Sequence, residues 1–488
     1  LRAALLAHLP GYMVPGAFVA LVAWPLTANG KVDRRALPVP GREALFSAEY
    51  EAPQGAVEIA LAALWGELLQ LERVGRHDHF FELGGHSLLA VTLLARMRGV
   101  GLDADIRVLF AQPTLAALAA AVGAASAASA PANLIEAGCT RITPALLPLV
   151  TLAQADIERI VARVPGGAAN VQDIYPLGPL QTGILYHHLA AGADDPYLLQ
   201  ARFAFADRTR LDAFCQALQQ VIARHDILRT ALCWEGLPTP VQVVWRHAAL
   251  TLEACALDAI DAPARLDLDQ APLLRLRHAP DPHRGGIAGV LLFHHVIMDH
   301  LALDLLGHEL QAVLLGQGAQ LPAAVPYRNY IAQSLQGPGQ ASHEAYFAQQ
   351  LGDIDEPTLP YGQQRPVTEG APGLARQTLD AGLCQRVRQQ ARQAGVTAAS
   401  LMHLAWARVL GQLSGREQVV FGTVLLGRLQ GGEGVESALG LFINTLPLRV
   451  DVGEQPVRAA LRETHQRLTG LLGHEHAPLA LAQRCSAL

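Results

Sequence analysis

Two short runs of residues have the composition of chemical sites. In the first, Gly84-Gly85 precedes Ser87, where an apolar pattern with helical spacing begins. A serine at a helix start faces unpaired backbone N–H groups and the positive end of the helix dipole, which suits a phosphodiester on its hydroxyl. Serine is also a common helix N-cap. On the local pattern alone, these two interpretations are equally good.

The second run is His294-His295-Val296-Ile297-Met298-Asp299-His300, which follows an apolar stretch over 287–293. That stretch has the length and composition of a buried strand. Two imidazoles at the end of a strand, followed by a carboxylate, can form a general-base site. A histidine pair satisfied inside the core is the simpler alternative.

The bulk composition limits the classes of protein to which these sites can belong. The chain has 488 residues, 51% apolar and 16% charged, which suggests two to four domains with ample buried cores. No uninterrupted apolar stretch reaches about 18 residues, so no transmembrane helix is predicted. The formal net charge of −6 argues against a nucleic-acid partner. We therefore expect neither membrane nor nucleic-acid binding.

Cysteine usage and the start of the chain indicate the compartment. The six cysteines are scattered and include no Cys-x-x-Cys pair. This pattern indicates neither a metal site nor a disulfide framework, and reduced thiols in the cytoplasm fit best. The chain opens Leu-Arg-Ala-Ala, without an initiator methionine or a secretory signal. We expect a fragment of a larger cytoplasmic protein.

Breaks in composition divide the chain. A Pro/Gly-rich connector precedes residue 53, an Ala/Ser/Pro-rich stretch follows residue 122, and a weaker break lies over 335–342. The expected units are a head over 1–37, a linker over 38–52, a small block over 53–122, a second linker over 123–141, and a large block with lobes over 142–334 and 335–488.

Apolar spacing predicts the elements of each block. In the small block, it predicts helices over 57–71, 87–97 and 115–122, which make a minimal three-helix bundle. In the large block, it predicts buried strands over 287–293 and 419–425, and helices over 211–224 and 399–413. The expected fold class is therefore multidomain α/β, with a small helical bundle joined to a larger α/β unit.

The run from Asp78 to Ala90 closely resembles the carrier-protein signature of nonribosomal peptide synthetases. Residues 53–122 as a whole look like one peptidyl carrier domain. The resemblance implies that a phosphopantetheinyl transferase attaches 4'-phosphopantetheine to Ser87, with coenzyme A as donor. The thiol of that arm would then hold an amino acid or peptide as a thioester.

The head contains Leu26-Thr27-Ala28-Asn29-Gly30-Lys31-Val32-Asp33-Arg34. Asn-Gly is a tight-turn signal, so a hairpin with a surface lysine is the simpler interpretation. Placed before a carrier domain, the segment resembles the last motif of an adenylation domain, in which Lys31 would match the catalytic lysine. The nucleotide-binding loops of that family are absent from the sequence. We expect an upstream adenylation domain as a partner and no ATP chemistry here.

Six motifs in order resemble those of condensation domains. They occupy 175–181, 224–230, 294–300, 327–330, 439–449 and 474–479. The resemblance implies two chloramphenicol-acetyltransferase-like lobes in a V, with a tunnel between them and His295 at its middle. A donor thioester would enter from one end, and an amino acid on a downstream carrier domain from the other.

The family pattern also implies roles for single residues. It places catalysis on His295, with His294 supporting the geometry. Asp299 is expected to fix the loop through an arginine, for which we expect Arg229. His300 stands where the motif has glycine, which would put an additional imidazole near the tunnel. The final stretch of a condensation domain is not found before Leu488, so we expect a truncated second lobe.

A second histidine pair lies in His187-His188-Leu189-Ala190-Ala191-Gly192-Ala193-Asp194-Asp195. Exposed histidines at a helix end are the simpler interpretation. The run also resembles the additional N-terminal motif of dual epimerisation/condensation domains, with Asp194 where that pattern has glycine. Such domains invert the α-carbon of the donor residue before coupling it, and His295 could remove the α-proton. We favour this dual function, with plain condensation as the main alternative.

Two other classes of function remain open. The chain could be a non-catalytic carrier and docking module, because the last condensation motif is missing and His300 departs from the pattern. It could also be an acyltransferase that uses His295 and Asp299 on an alcohol or a free amine. The fused carrier domain argues against this second alternative, because such enzymes usually take soluble coenzyme A thioesters.

Overall fold

The computed structural model describes residues 21, 25, 50–81, 83–85, 87–104, 106–124, 130–190, 195–362, 373, 375–428 and 435–488. Nearly all of the predicted adenylation tail, including Lys31, and nearly all of the 38–52 linker lie outside these residues. Asp194 of the second histidine motif lies outside them too. Within the described ranges, no helix is both long and apolar enough to cross a membrane.

The small block is a helical bundle. Its helices are α1 Gly55–Leu69, α2 Ser87–Gly99, α3 Ile106–Ala111 and α4 Leu115–Ala120. The three predicted helices are confirmed, but the expectation of only three was wrong because α3 was missed. At six residues, α3 is too short to show a helical period. Strands β1 Leu102–Asp103 and β2 Gly123–Ala124 pair antiparallel beside the bundle.

The core of this bundle fixes the turn that leads to Ser87. Trp65 and Phe80 are fully buried and meet edge to face, with ring centroids 5.1 Å apart. The Gly85 N–H donates to the Phe80 carbonyl over 2.9 Å. Gly85 therefore lies against the Phe80 ring, and α2 begins two residues later.

The first lobe of the large block contains two sheets, of strand order β4-β9-β8-β7 and β3-β6-β5. Their strands are β3 Val171–Pro176, β4 Leu198–Phe205, β5 Thr230–Cys233, β6 Val241–Trp245, β7 Thr251–Ala254, β8 Leu274–Pro280 and β9 Ile287–His294. All pairs are antiparallel except β7 with β8. The register pairs Leu198 with His294, so the end of β9 lies beside the start of β4.

Helices cover these sheets. They are α5 Gln154–Arg163, α6 Pro179–Ala190, α7 Arg208–Arg224, α8 His300–Leu314 and α9 Arg328–Gln336. Helix α7 buries Leu211, Phe214, Leu218 and Val221 on one face, which is the apolar spacing that predicted a helix there. It packs beside α8. Because α8 directly follows the His294–Asp299 run, this packing helps to hold that run in place.

The second lobe has its own apolar core. Strand β10 Gln418–Leu425 pairs antiparallel with β11 Asn444–Asp451 over its whole length. The helices are α10 Gln340–Leu351, α11 Ala381–Ala394, α12 Ala398–Ser414, α13 Val457–Leu472 and α14 Leu479–Arg484. The predicted strand over 419–425 and helix over 399–413 are both confirmed, and the fold class is mixed α/β as expected.

The second predicted linker is partly packed onto the first lobe. Ile135 is 4% exposed and belongs to the same core as Ile157 and Val171. Its carbonyl accepts a hydrogen bond from Arg246 Nη2 over 2.8 Å. The Ala/Ser/Pro content of the stretch suggested a free linker, but the apolar Ile135 anchors its later part.

Within the described part of the chain, helices α3 and α2 of the small block contact the large block. Helix α3 packs on α13, where His465 Nε2 and the Phe110 carbonyl lie 3.2 Å apart. Burial lowers the pKa of His465, although the bond to Phe110 opposes this shift. Helix α2, which begins at Ser87, lies beside the turn Val435–Ser437. The serine helix is therefore in contact with the unit that contains the histidine motif.

Gly85→Ala should destabilise the small block. A methyl group at residue 85 would lie 2.4 Å from the Phe80 ring and 2.7 Å from the Phe80 carbonyl, and overpacking of this kind typically costs about 1–3 kcal/mol. The free energy of opening, from amide hydrogen exchange over α1, measures the effect. Gly99→Ala is the matched control, because nothing lies within 4 Å of its added methyl. Equal protection in both variants would contradict this packing.

Candidate active site

The structure fixes which nitrogen of His295 carries the ring proton. Strand β9 ends at His294, and residues His295–Ile297 form one tight turn. His295 Nδ1 lies 2.7 Å from the Met298 carbonyl oxygen. A carbonyl can only accept, so Nδ1 donates, and in the neutral ring the lone pair is on Nε2. The ring is half-buried, and it can therefore accept a proton or a hydrogen bond from a bound group.

His294 is fully buried and holds the backbone of the same turn. The Val296 N–H donates to its Nδ1 over 3.1 Å, so its ring proton is on Nε2. That N–H donates to Asp195 Oδ2 over 3.0 Å. Burial lowers the pKa of His294 to about 4, against the opposing effect of Asp195. The ring is therefore neutral at neutral pH, and it supports the geometry of the turn.

Asp299 closes the other end of the turn. Its side chain caps α8 by accepting from the Ala302 N–H over 2.9 Å, and it accepts from the Phe442 N–H over 3.1 Å. The Asp299 N–H in turn donates to the Gly440 carbonyl over 3.2 Å. These bonds tie the histidine motif to the 439–449 motif that was predicted to accompany it.

The arginine beside Asp299 is Arg428, and the prediction of Arg229 was wrong. Arg428 Nη2 lies 3.5 Å from Asp299 Oδ1. Arg229 instead bonds Gln172 and the Trp245 carbonyl, at the β3-β6-β5 sheet. Arg229 belongs to the second motif, but that motif runs into β5, away from Asp299.

Arg428 is 1% exposed on its side chain, and sequence reasoning missed it. Its guanidinium carbon lies 3.8 Å from the centre of the Phe442 ring, a cation–π contact. Its Nη1 donates to the carbonyls of Val435 and Ala438. Burial lowers its pKa, and Asp299 opposes the shift. An arginine three residues after the end of the apolar strand β10 was the signal that could have identified it.

Asp195 joins His188 and His294, and it too was missed as a site residue. His188 is 4% exposed, and its Nδ1 lies 2.5 Å from Asp195 Oδ2. Burial raises the pKa of the Asp195 carboxyl, but the bonds from His188, the Tyr197 N–H and His294 outweigh it, so the pKa lies below its ordinary value. His187 is exposed; its ring centroid lies 6.0 Å from that of Tyr197, which lies 6.3 Å from that of His295.

The group His188, Asp195 and His294 has the residue types of a metal site. A metal on His294 Nε2 would require the ring proton on Nδ1. The Val296 N–H already points at Nδ1, so the two protons would clash. The group therefore fits a hydrogen-bonded unit better than a metal centre.

The remaining motifs surround this turn. Gln181 Nε2 donates to the Val296 carbonyl over 2.9 Å, which links the first motif to the third. The Tyr327 hydroxyl donates to the Leu441 carbonyl over 2.6 Å, which links the fourth motif (327–330) to the fifth motif (439–449). Asn444 Nδ2 donates to the carbonyls on either side of the sixth motif's His476, over 2.8 Å each. Motifs far apart in sequence thus form one bonded unit.

His300 is the first residue of α8, and its side chain is exposed. It follows the capping residue Asp299 and is not among the described non-glycine residues with a positive φ, so the backbone here does not require glycine. The departure from glycine therefore fits the backbone at this position.

Ser87 lies at the start of α2, as predicted. The preceding Gly84 has a positive φ of 107°, a conformation that glycine adopts readily. The first turn of α2 contains no acidic side chain. These features fit a phosphate attached at the helix start.

Acid should destabilise the large block. His294 and His476 are buried, and burial lowers the pKa of each to about 4. Both are neutral in the folded protein and would charge near pH 6.5 when unfolded. Their contribution to the free energy of unfolding is therefore complete above pH 6.5 and is lost as the pH falls towards 4. Urea unfolding of the whole chain at pH 7 and pH 5 measures this loss.

His476→Leu should reduce the difference in unfolding free energy between pH 7 and pH 5, because it removes one of the two buried titrating groups. Among the described residues, neither ring nitrogen of His476 has a hydrogen-bond partner, so leucine breaks no such bond. The exposed His283→Leu is the control and should keep the full difference. An unchanged pH dependence in His476→Leu would rule out this explanation.

Each of the two blocks matches the profile of a known protein family. The profile of the condensation domain matches residues 171–488, and that of the phosphopantetheine attachment site matches residues 60–122. Domains of the second kind carry a covalently attached 4'-phosphopantetheine. Both matches agree with the expectations drawn from the motifs.

Curated relatives are much longer than this chain. Malpinin synthetase of Mortierella alpina is 50% identical over 505 residues, covering 100% of this chain and 6% of its own length. Malpibaldin synthetase of the same organism is 48% identical, covering 99% and 9%. Surfactin synthase subunit 1 of Bacillus subtilis is 28% identical, covering 96% and 12%. The chain thus spans under one eighth of each of these proteins.

Solved structures show the same fold. A four-domain nonribosomal peptide synthetase bound to AMP and glycine aligns with a TM-score of 0.55 at 18% identity, over 64% of this chain and 25% of that one. The condensation domain of the Monacolin K polyketide synthase aligns with a TM-score of 0.51 at 18% identity, over 64% and 76%. With the matched profile and the interlocked motifs, these findings show that the chain belongs to the condensation-domain family, preceded by a phosphopantetheine carrier domain.

Proposed function

We propose that this chain carries an aminoacyl or peptidyl thioester on Ser87 and transfers it, at His295, to an amino acid on a downstream carrier domain. The reaction forms one amide bond and releases the thiol of the donor arm. The observation that supports this most strongly is the His295 ring, which has a bonded Nδ1 and an available Nε2. This function makes the chain an amide-bond-forming acyltransferase in nonribosomal peptide synthesis.

The attached arm supplies an acyl group activated as a thioester, so the protein has a modest chemical task. Holding the amine against the acyl carbon is worth an effective molarity of about 10⁵–10⁸ M. His295 Nε2 takes the proton that the amine loses as the C–N bond forms, and it passes that proton to the sulfur of the donor arm as the C–S bond breaks. A positioned acid–base group contributes about 10²–10⁴-fold. His294 and Asp299 hold the turn that aims this ring.

The proposed partners follow from the same reaction. A phosphopantetheinyl transferase modifies Ser87, and an upstream adenylation domain loads the arm. The head with Lys31, which resembles the end of such a domain, supports this order. The acceptor is an aminoacyl group on a downstream carrier domain. We place the two thioesters in a tunnel between the lobes, with His295 between them.

We also propose that the donor residue is epimerised before coupling. His188, from the motif that resembles dual epimerisation/condensation domains, shares one carboxylate oxygen of Asp195 with His294. His187 is connected to His295 by a row of ring contacts through Tyr197. The motif therefore borders the catalytic turn. His295 Nε2 would take the α-proton, which the thioester acidifies, and would release it to solvent. A proton from solvent would return to the opposite face of the α-carbon.

Ser87→Ala and His295→Ala should separate loading from coupling. Ser87→Ala should gain no phosphopantetheine mass with a transferase and coenzyme A. His295→Ala should load fully, yet couple about 10²–10⁴-fold more slowly. Intact mass of the chain and of a supplied aminoacyl-carrier acceptor reports both steps. Full peptide yield from His295→Ala would refute the assignment of His295.

Epimerisation predicts exchange at the donor α-carbon. With an L-peptidyl arm on Ser87 and an acceptor in D₂O, the product should contain a D centre and one deuterium at that carbon. The His295→Ala variant should show neither, and a D-peptidyl donor is the positive control for coupling. A product that keeps the L centre without deuterium would remove the epimerase proposal but leave condensation standing.

The same acceptor assay separates the two other classes of function. A carrier and docking module would load on Ser87 and transfer nothing. An acyltransferase for small molecules would act on soluble coenzyme A thioesters with an alcohol or a free amine, independently of Ser87. Transfer that requires both Ser87 and a carrier-bound amine would support the proposed function and exclude the two other classes.

A further inference from the structure

Asp195 is a buried carboxylate with an unusual number of donors. It stands just before β4, and its side chain is fully buried. Three groups donate to it: His188, His294 and the Tyr197 N–H. It comes close to the catalytic turn because β4 pairs with β9 so that Leu198 lies opposite His294.

One oxygen of Asp195 holds the peptide that follows His295. Oδ2 accepts from His294 Nε2 over 3.0 Å, and Nδ1 of the same ring accepts from the Val296 N–H over 3.1 Å. The Val296 amide is joined directly to His295. The carboxylate therefore fixes the His294 ring, and that ring fixes the amide after His295.

The other oxygen holds the peptide that precedes the His295 ring. Oδ1 accepts from the Tyr197 N–H over 3.0 Å. The Tyr197 carbonyl in turn accepts from the His295 N–H over 2.8 Å. A closed circuit therefore runs from Asp195 through His294 and Val296 to His295, and back through Tyr197.

We propose that Asp195 is the positioning residue of His295, because its two oxygens clamp the backbone on both sides of the catalytic ring. This inference rests on the proposed role of His295. The third donor, His188, links the same carboxylate to helix α6, whose end is held by a bond from Arg265 to the His188 carbonyl. The clamp is therefore tied to α6 as well as to β4.

The position demands a carboxylate rather than an amide. An ionised carboxylate accepts at both oxygens, whereas asparagine accepts at one atom and donates at the other. In Asp195→Asn, the NH₂ group faces either the Tyr197 N–H or the two imidazoles. In the second case, the His294 tautomer must change, and its Nδ1–H then opposes the Val296 N–H. Either orientation breaks one side of the clamp.

A double-mutant cycle tests the proposal in the phosphopantetheinylated full chain, with a D-peptidyl donor so that epimerisation is not required. Asp195→Asn should lower kcat on the order of 10–100-fold, as for groups that orient catalytic imidazoles at metal sites, with little change in KM for the acceptor. In a His295→Ala background, the same substitution should have almost no further effect. Asp207→Asn, an exposed helix cap, should show no coupling to His295.

The outcomes separate this inference from the proposed function. An inactive wild-type chain, or a fully active His295→Ala variant, contradicts the proposed function. If His295→Ala is impaired but Asp195→Asn is normal, only the positioning role fails. If Asp195→Asn lowers the rate by the same factor with and without His295, Asp195 acts on the fold as a whole and the proposal is overturned.

A second comparison decides the case if Asp195→Asn does not fold or the residual rate of His295→Ala is too low to measure. His294→Phe breaks the link from Asp195 to Val296, whereas His188→Phe leaves both sides of the clamp intact. The proposal predicts a clearly larger loss of kcat in His294→Phe. Equal losses in the two variants would overturn it.

Discussion

The site depends on one hydrogen bond, from His295 Nδ1–H to the Met298 carbonyl. Because it spans a single tight turn, this bond fixes both the orientation of the ring and its tautomer. The proton on Nδ1 leaves the lone pair on Nε2, where a reacting amine or an acidic C–H can deliver a proton. The turn keeps this form only while its ends are held. Strand β9 holds one end, and helix α8 with its cap Asp299 holds the other.

Two buried carboxylates hold those ends. Asp195 lies before the turn with two imidazoles and a backbone N–H, and Asp299 lies after it with Arg428 and two backbone N–H groups. Removing one partner of a buried ionic group typically lowers folding stability by about 3–5 kcal/mol. These partners therefore contribute to holding both ends of the turn. Arg428 also bonds the Val435 carbonyl, in the turn beside the helix that begins at Ser87. Arg428 therefore links Asp299 to the turn that contacts the carrier domain.

Elements with a long repeating pattern could be predicted from the sequence, and long-range partners could not. Helix α7 was predicted because burial on one face leaves a period in the sequence, and the strand over 287–293 was predicted because it is a continuous apolar run of strand length. Helix α3 is too short to leave one, and the apolar Ile135 in a linker-like stretch was overlooked. The motifs identified His295 and Asp299, but the partners of those residues depend on strand register and on how the lobes pack. Arg229 was therefore predicted in place of Arg428, and Asp195 was not recognised as the residue that joins His188 to His294.

The claim that the neutral His295 ring carries its proton on Nδ1 and its lone pair on Nε2 can be measured directly. Nitrogen NMR of the full chain with ¹⁵N-labelled histidine, assigned by comparison with His295→Ala, reports the protonation of each ring nitrogen. For the neutral ring, we expect a protonated Nδ1 and an unprotonated Nε2 at His295. We also expect Asp195→Asn to turn this single state into a mixture of the two tautomers. A neutral His295 ring with its proton on Nε2 in the unmodified chain would contradict this assignment.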